Sequence, residues 1–367
     1  MTLRPARATV ALLCVALLSA CTPNPLDAPP RSPDSVGPRA PLSELEVLEK
    51  PREHVGPSTA LLESATVEVI TENPVETLPV TVTSRDLAGD TDVTVTDTSR
   101  ILPLDIAGSI ASTVFALGLG DSVVGRDVST TFPEAAALPV VTNSGHAINI
   151  ESVLALRPSL LITDGTVGPT DVILQLREAG VTVVYVDAEP GLDAPAELAR
   201  QVAAALGVSD AGELLAAKLE ASIDGVVQQI AAIAPTTVDD RVRILFLYLR
   251  GASRIYYLFG EESGADELIE GVGGIDVAGE IGWTGLRPMT DEALIAANPD
   301  LILVMSEGLD SVGGVDGLLA EKPAFALTEA GQNRRFVDMA DGEILSFGPR
   351  TPAVLDALAR AIYAPDS

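Results

Sequence analysis

Arg243-Ile-Leu-Phe-Leu-Tyr-Leu-Arg250, followed at once by Gly251, is an apolar run that ends in a phenol and a guanidinium. Side chains of a strand alternate between two faces. Ile244, Phe246, Tyr248 and Arg250 therefore share one face, and Leu245, Leu247 and Leu249 the other. Both faces stay apolar until the end, which is the pattern of a parallel strand buried between helix layers. Tyr248 and Arg250 then lie at the carboxyl end, where open α/β sheets bind ligands. A cation two residues after the phenol favours the phenolate and would bond to its oxygen. Phenolate is a hard ligand for ferric iron. The alternative is a core tyrosine whose hydroxyl finds a partner, with an arginine closing the strand.

Outward from this run, strands and helices alternate. Upstream, Arg100-Ile-Leu-Pro-Leu-Asp105, Ser159-Leu-Leu-Ile-Thr-Asp164 and Val181–Asp187 read as buried strands, with helices between them. Thr66–Thr71, Asp92–Asp97 and Asp121–Asp127 also read as strands, with a turn near Gly89-Asp90. Asp210 to about Ile233 keeps helical spacing at Leu214, Leu215, Lys218, Leu219, Ile223, Val226, Val227, Ile230 and Ile233, and Pro235 stops it. Such a helix is about 36 Å long at 1.5 Å per residue, enough to bridge two lobes. Ile150–Arg157 then Pro158 and a strand is matched downstream by Met289–Asn298, then Pro299 and a strand. The same unit thus occurs once on each side of the long helix. The expected fold is α/β: two lobes with central parallel sheets, joined by one long helix, with a ligand cleft between them.

The chain of 367 residues is 47% hydrophobic but only 4% aromatic, so its cores are aliphatic. Its 52 acidic and 23 basic residues give a formal charge of -29, which argues against nucleic acid as a partner. At the N-terminus, Arg4 and Arg7 precede an apolar stretch, Ala8 to Leu18, too short to span a bilayer well. Leu18-Ser-Ala-Cys21 follows and resembles a bacterial lipobox, in which Cys21 would be lipidated. Only Cys14 and Cys21 exist, so the mature body has neither a disulfide nor a catalytic thiol. The expected divisions are a signal peptide at 1–20, a disordered tether at 21–66, and an N-terminal lobe with leading strands at 67–207. A linking helix at 208–235 and a C-terminal lobe at 236–367 complete the chain. His54 is expected to be solvated in the tether.

From about Ile101 onward the chain resembles the haem-binding lipoproteins of bacterial ABC importers, the HmuT-like branch of the helical-linker (class III) periplasmic binding proteins. The resemblance lies in Ser144-Gly-His-Ala-Ile-Asn-Ile-Glu151, Leu247-Tyr-Leu-Arg-Gly251, Ser263-Gly-Ala-Asp-Glu-Leu-Ile and Gly282-Trp-Thr-Gly-Leu-Arg-Pro288. It implies one ferric haem b, carried as cargo between the lobes, with His146 and Tyr248 as axial ligands and Arg250 supporting the phenolate. It also implies docking on an ABC permease, served by its ATPase, through Glu151 and Glu270. Tyr256, Tyr257, Trp283 and Met289 are candidates to line the cleft, with core packing the rival for each, and Arg254 or Arg250 would pair with a propionate. The protein would be a monomer on the extracytoplasmic face of the cell membrane, receiving haem from surface donors.

Three other readings compete, one of them a nitrogenase-like metal-cluster protein, which shares this lobe architecture but needs cysteines that the body lacks. The same fold binds ferric siderophores or corrinoids, although a siderophore site would favour several arginines or aromatics. A lipid-tethered hydrolase would need a Gly-x-Ser-x-Gly elbow and a later histidine. Ser144-Gly145-His146 is no such elbow and no histidine follows it, so the protein is not expected to be an enzyme.

Overall fold

The computed structural model describes residues 35–86, 89–143, 145–187 and 189–367. The signal peptide, Cys21 and the first part of the tether lie outside the described residues. No helix among the described residues is long and apolar enough to cross a membrane.

Residues 35–66 are not a free tether. Leu42 and Leu62 are fully buried in the C-lobe core. Strand β1 (Ser58–Thr59) pairs in parallel with β12 (Phe336–Met339), Leu48 N donates to Tyr363 O (2.8 Å), and Arg52 pairs with Asp300 at 2.7 Å. The segment lacks periodicity because isolated apolar residues do its packing, with backbone pairing at a sheet edge. His54 is half-buried against the same lobe, and burial together with the Arg335 charge holds its pKa below the ordinary value. The chain then crosses to the N lobe, where Ile70 N donates to Ala116 O. Thr66–Thr71 forms no strand.

The N lobe begins with the hairpin β2 (Val80–Asp86) and β3 (Gly89–Val95). Its sheet is parallel, in the order β4 (Ile101–Leu104), β5 (Leu160–Thr163), β6 (Thr182–Tyr185). Helices α1 (Ser109–Ala116), α2 (Ile150–Leu156), α3 (Thr170–Glu178) and α4 (Ala194–Ala205) accompany it. Residues 121–127 make isolated bridges at Val123 and Arg126 rather than the expected strand.

Helix α5 (Ser209–Ile233) joins the lobes. Its first half, at Leu215, Ala216 and Leu219, is buried in the N-lobe core. Its second half, at Ile223, Val226 and Ile230, is buried in the C-lobe core. One amphipathic face therefore belongs to two cores in succession.

The C lobe contains β7 (Arg243–Arg250), β8 (Ile255–Phe259), α6 (Ala265–Gly271), β9 (Ile275–Asp276), α7 (Val277–Glu280), β10 (Leu286–Pro288), α8 (Asp291–Ala297) and β11 (Leu301–Met305). Next come α9 (Ser306–Asp310), α10 (Gly314–Glu321), α11 (Glu329–Gln332), β12 and α12 (Thr351–Tyr363). The sheet runs β1-β12-β11-β7-β8-β10, with β9 also on β7. Strand β7 is parallel to β11 and antiparallel to β8, which returns along it after a turn at Gly251–Ser253. The alternation holds: Ile244 and Phe246 enter one core, Leu245, Leu247 and Leu249 the other.

Candidate functional site

In the N lobe the loop before α2 carries His146. Asn143 shapes this loop, its Oδ1 accepting from Gly145 N (2.9 Å) and Ala147 N (3.1 Å), while His146 N donates to Asn143 O (2.9 Å). His146 thereby sits at φ 58°, in the left-handed region that few residues with a side chain adopt. Its Nδ1 lies 3.3 Å from Asp127 Oδ1. Asp127 is fully buried and accepts from Thr142 Oγ1 (2.7 Å) and Ser129 N (2.7 Å). Burial pushes the Asp127 carboxyl up, but the bonds from His146, Thr142 and Ser129 outweigh it and hold the pKa below its ordinary value. An ionised carboxylate only accepts, so it assigns a proton to Nδ1, and in the neutral imidazole the Nε2 lone pair is then the one left for a ligand. The imidazole is 24% exposed.

In the C lobe Tyr248 stands half-buried near the end of β7, opposite Tyr257 and 6.3 Å from the Phe259 ring. Arg250 shares its face, as the alternation requires, but does not bond to the phenol oxygen as expected. The guanidinium lies over the Tyr248 ring, 4.7 Å from its centroid. Its hydrogen bonds go to Asp341 Oδ2 (2.6 Å) and Leu249 O (3.1 Å). Strand alternation fixes which face a side chain takes, whereas a long side chain reaches for the nearest carboxylate. Asp341 also accepts from Glu307 N (3.0 Å), where α9 begins.

The cleft-lining candidates divide. Tyr257 shares the face of Tyr248. Tyr256 is paired with Leu249 and is 6% exposed in the core on the opposite face, where burial pushes its hydroxyl up to about 12. Trp283 and Met289 pack against that same core. For Tyr256 the reading as cleft lining is corrected, because the β7–β8 pairing turns it to the face opposite Tyr248. Arg254 is exposed at the hairpin turn, with φ 52°. Glu151 is exposed in the first turn of α2, and Glu270 is exposed near the end of α6. A cavity of 980 Å³ opens at the foot of the C lobe beside Lys50, Arg52, Asp240 and Arg243, and neither His146 nor Tyr248 lines it. Side-chain chemistry, rather than that void, marks the candidate site.

Asp127 and Asp341 were not found from the sequence. Each is a lone acid in an acidic chain, 19 and 91 residues from the side chain that it meets. No spacing rule connects such positions.

The sequence pattern described as "Periplasmic binding protein" matches residues 106–341. Among solved structures, the heme binding protein HmuT superposes with a TM-score of 0.80 at 39% identity, covering 86% of this chain and 99% of its own. HmuT has also been solved as variants at a histidine, at a tyrosine and at an arginine two positions after that tyrosine. The ABC transporter substrate-binding lipoprotein YvrC of Bacillus subtilis is 27% identical over 80% of this chain and 88% of its own. A cobalamin-binding protein of Halobacterium salinarum is 27% identical over 75% and 73%. Two α/β lobes, a linking helix and these similarities agree: the chain belongs to the periplasmic binding protein family, whose members are the binding proteins of transporters rather than enzymes.

Proposed function

We propose that the protein captures ferric haem between its lobes and delivers it to an ABC permease. His146 Nε2 and the Tyr248 phenolate are the axial ligands. A metal already held in a tetrapyrrole plane needs only two protein donors. Ferric iron, a dianionic porphyrin and one phenolate sum to a neutral centre, which can leave water at low cost. Arg250 covers the tyrosine ring, Tyr257 flanks it, and Arg254, exposed at the turn, takes a propionate. Glu151 and Glu270 meet basic residues of the permease, and Cys21 carries the lipid that holds the protein at the extracytoplasmic face of the membrane.

The observation that carries this reading is the bond from His146 Nδ1 to a buried carboxylate. Metal-binding histidines are held in this way, with the outer nitrogen tied and the inner one free. The HmuT variants at a histidine, a tyrosine and an arginine two residues on support the choice of residues, because His146, Tyr248 and Arg250 repeat that set.

The test is an absorption titration of purified protein with hemin, with cobalamin run in parallel. A Soret band with 1:1 saturation is expected for hemin. Tight uptake of cobalamin without a hemin response would transfer the site to corrinoids, as the 27% identical cobalamin-binding relative allows.

A further inference from the structure

The loops that hold the candidate ligands also touch each other across the lobes. Loop 126–132 carries Asp127, and loop 340–350 carries Asp341. Ser129 donates its amide to Asp127, while its carbonyl lies so near Gly342 that an added Cβ would stand 2.7 Å from it and 2.6 Å from Thr131 Oγ1. Beside this contact, Arg350 pairs with Glu343 in a buried bridge of 2.9 Å and places its guanidinium 5.7 Å from the Phe132 ring centroid. Gly348 lies near α1, where an added Cβ would come 3.1 Å from Ser112 Oγ. Gly342 and Gly348 thus mark two close approaches of the lobes, and Gly342 adjoins Asp341 in sequence.

We propose that Asp127 and Asp341 are the positioning residues for His146 and for the Arg250–Tyr248 pair, and that the contact at Gly342 makes both depend on lobe closure. The inference rests on the haem reading above. Closed lobes hold loop 126–132 in place, so the Ser129 amide fixes Asp127, and Asp127 fixes the imidazole. On the other side, the same contact holds Asp341 between Arg250 and the start of α9. Parting the lobes loosens both supports together. A permease that prises the lobes apart thereby weakens two axial bonds with one motion, through a continuous chain of packed groups.

The experiment uses full-length, hemin-loaded protein and follows the absorption and electron paramagnetic resonance spectra and the rate of hemin loss to an apo-globin scavenger. Asp127→Asn keeps the shape but gives the imidazole an amide, and an amide donor facing Nδ1 would move the ring proton to Nε2. Hemin loss should quicken about 10–100-fold, the usual effect of removing an outer partner of a metal ligand. The spectrum should move toward that of His146→Ala, and adding Asp127→Asn to His146→Ala should change nothing more. Asp341→Asn should move the spectrum toward that of Tyr248→Phe and have no effect in that background. Gly342→Ala, which touches neither ligand, should disturb both signatures and speed hemin loss severalfold. If Asp127→Asn does not fold, Thr142→Val, which removes one donor to the carboxylate, is expected to give a smaller shift in the same direction. Wild-type spectra and rates in the aspartate variants, or equal effects in the backgrounds lacking the ligands, would overturn the positioning roles. A wild-type rate in Gly342→Ala would overturn the interlobe coupling. Wild-type protein that takes up no hemin would overturn the haem reading and this inference with it.

Discussion

In both lobes a seven-residue helix starts from a capping side chain and ends on a left-handed residue, and then proline leads into a parallel strand. Asn149 accepts from Ser152 N and Arg157 closes α2; Thr290 accepts from Ala293 N and Asn298 closes α8. Strands β5 and β11 begin at equivalent places, Leu160 and Leu301. Their neighbours pair alike, Leu104 with Thr163 and Leu247 with Val304. The next residues, Asp105 and Tyr248, are therefore counterparts. Asp105 turns back to cap α1, accepting from Ser109 N (2.8 Å) and Ile110 N (3.1 Å). Strand β7 runs on instead into a hairpin and carries Tyr248 and Arg250 with it. The Asp105 side chain is committed to capping, so the candidate donor of the N lobe lies elsewhere, in the His146 loop.

The sharpest way to break this comparison is to remove each donor. Tyr248→Ala should weaken hemin binding most, by roughly two to three orders of magnitude, because it leaves a buried positive centre unpaired. His146→Ala removes a neutral donor and should cost roughly tenfold to a hundredfold, the scale of one unmade polar bond. Titration of both variants checks the ranking; equal losses would mean that the phenol carries no charge in the complex.

The lobes also differ in what covers them. Residues 35–62 strap the C lobe, with Leu42 at 0% exposure inside its core. Leu42→Ala should lower stability by about 2–5 kcal/mol, as for other large core truncations, and denaturant unfolding measures it. A residue in a floating tether would show no loss.

Strand β7 was legible because a run apolar on both faces has few homes other than the middle of a sheet. Helix α5 and the repeated unit were legible because their periods and prolines are local signals. The strap was not, since two paired residues and two buried leucines make no period. Strand β8 was noticed for its aromatics, but its antiparallel return, which decides that Tyr257 and not Tyr256 sits beside Tyr248, depends on a register that only the pairing fixes. His146 and Tyr248 stood out by residue type, whereas Asp127 and Asp341 become meaningful only when distant loops meet.

A smaller effect tests the counterpart of Tyr248 directly. Burial, followed by the charge of Asp164, pushes the Asp105 carboxyl up to about 7, against the bonds from Ser109 that pull it down. The folded protein therefore holds a proton that the unfolded chain has already released above about pH 4. This contribution is fully present below the unfolded pKa and is lost as pH rises toward about 7. Asp105→Asn should flatten that part of the stability curve, and relative to wild type it should gain on the order of 1–4 kcal/mol at pH 8 compared with pH 4, at about 1.4 kcal/mol per unit. Thermal melts at several pH values measure the gain, and an unchanged slope would assign the pH dependence to other carboxyls.

The smallest expected effect on binding is none at all. Glu151 and Glu270 are exposed on short helices of opposite lobes and line neither candidate ligand. Glu151 opens its helix, where a carboxylate favours the dipole, while Glu270 lies near the end of its own, where a carboxylate opposes it. Folding thus gives a reason for the first acid and none for the second, and a docking role would supply one. Reversing both charges should leave the hemin titration unchanged while uptake by cells fails, because the proposed salt bridges to a basic permease would become like-charge contacts. Equal uptake by the reversed variant would leave Glu270 as an acid on an acidic surface, and a weakened titration would place these helices closer to the ligand than the two-lobe comparison allows.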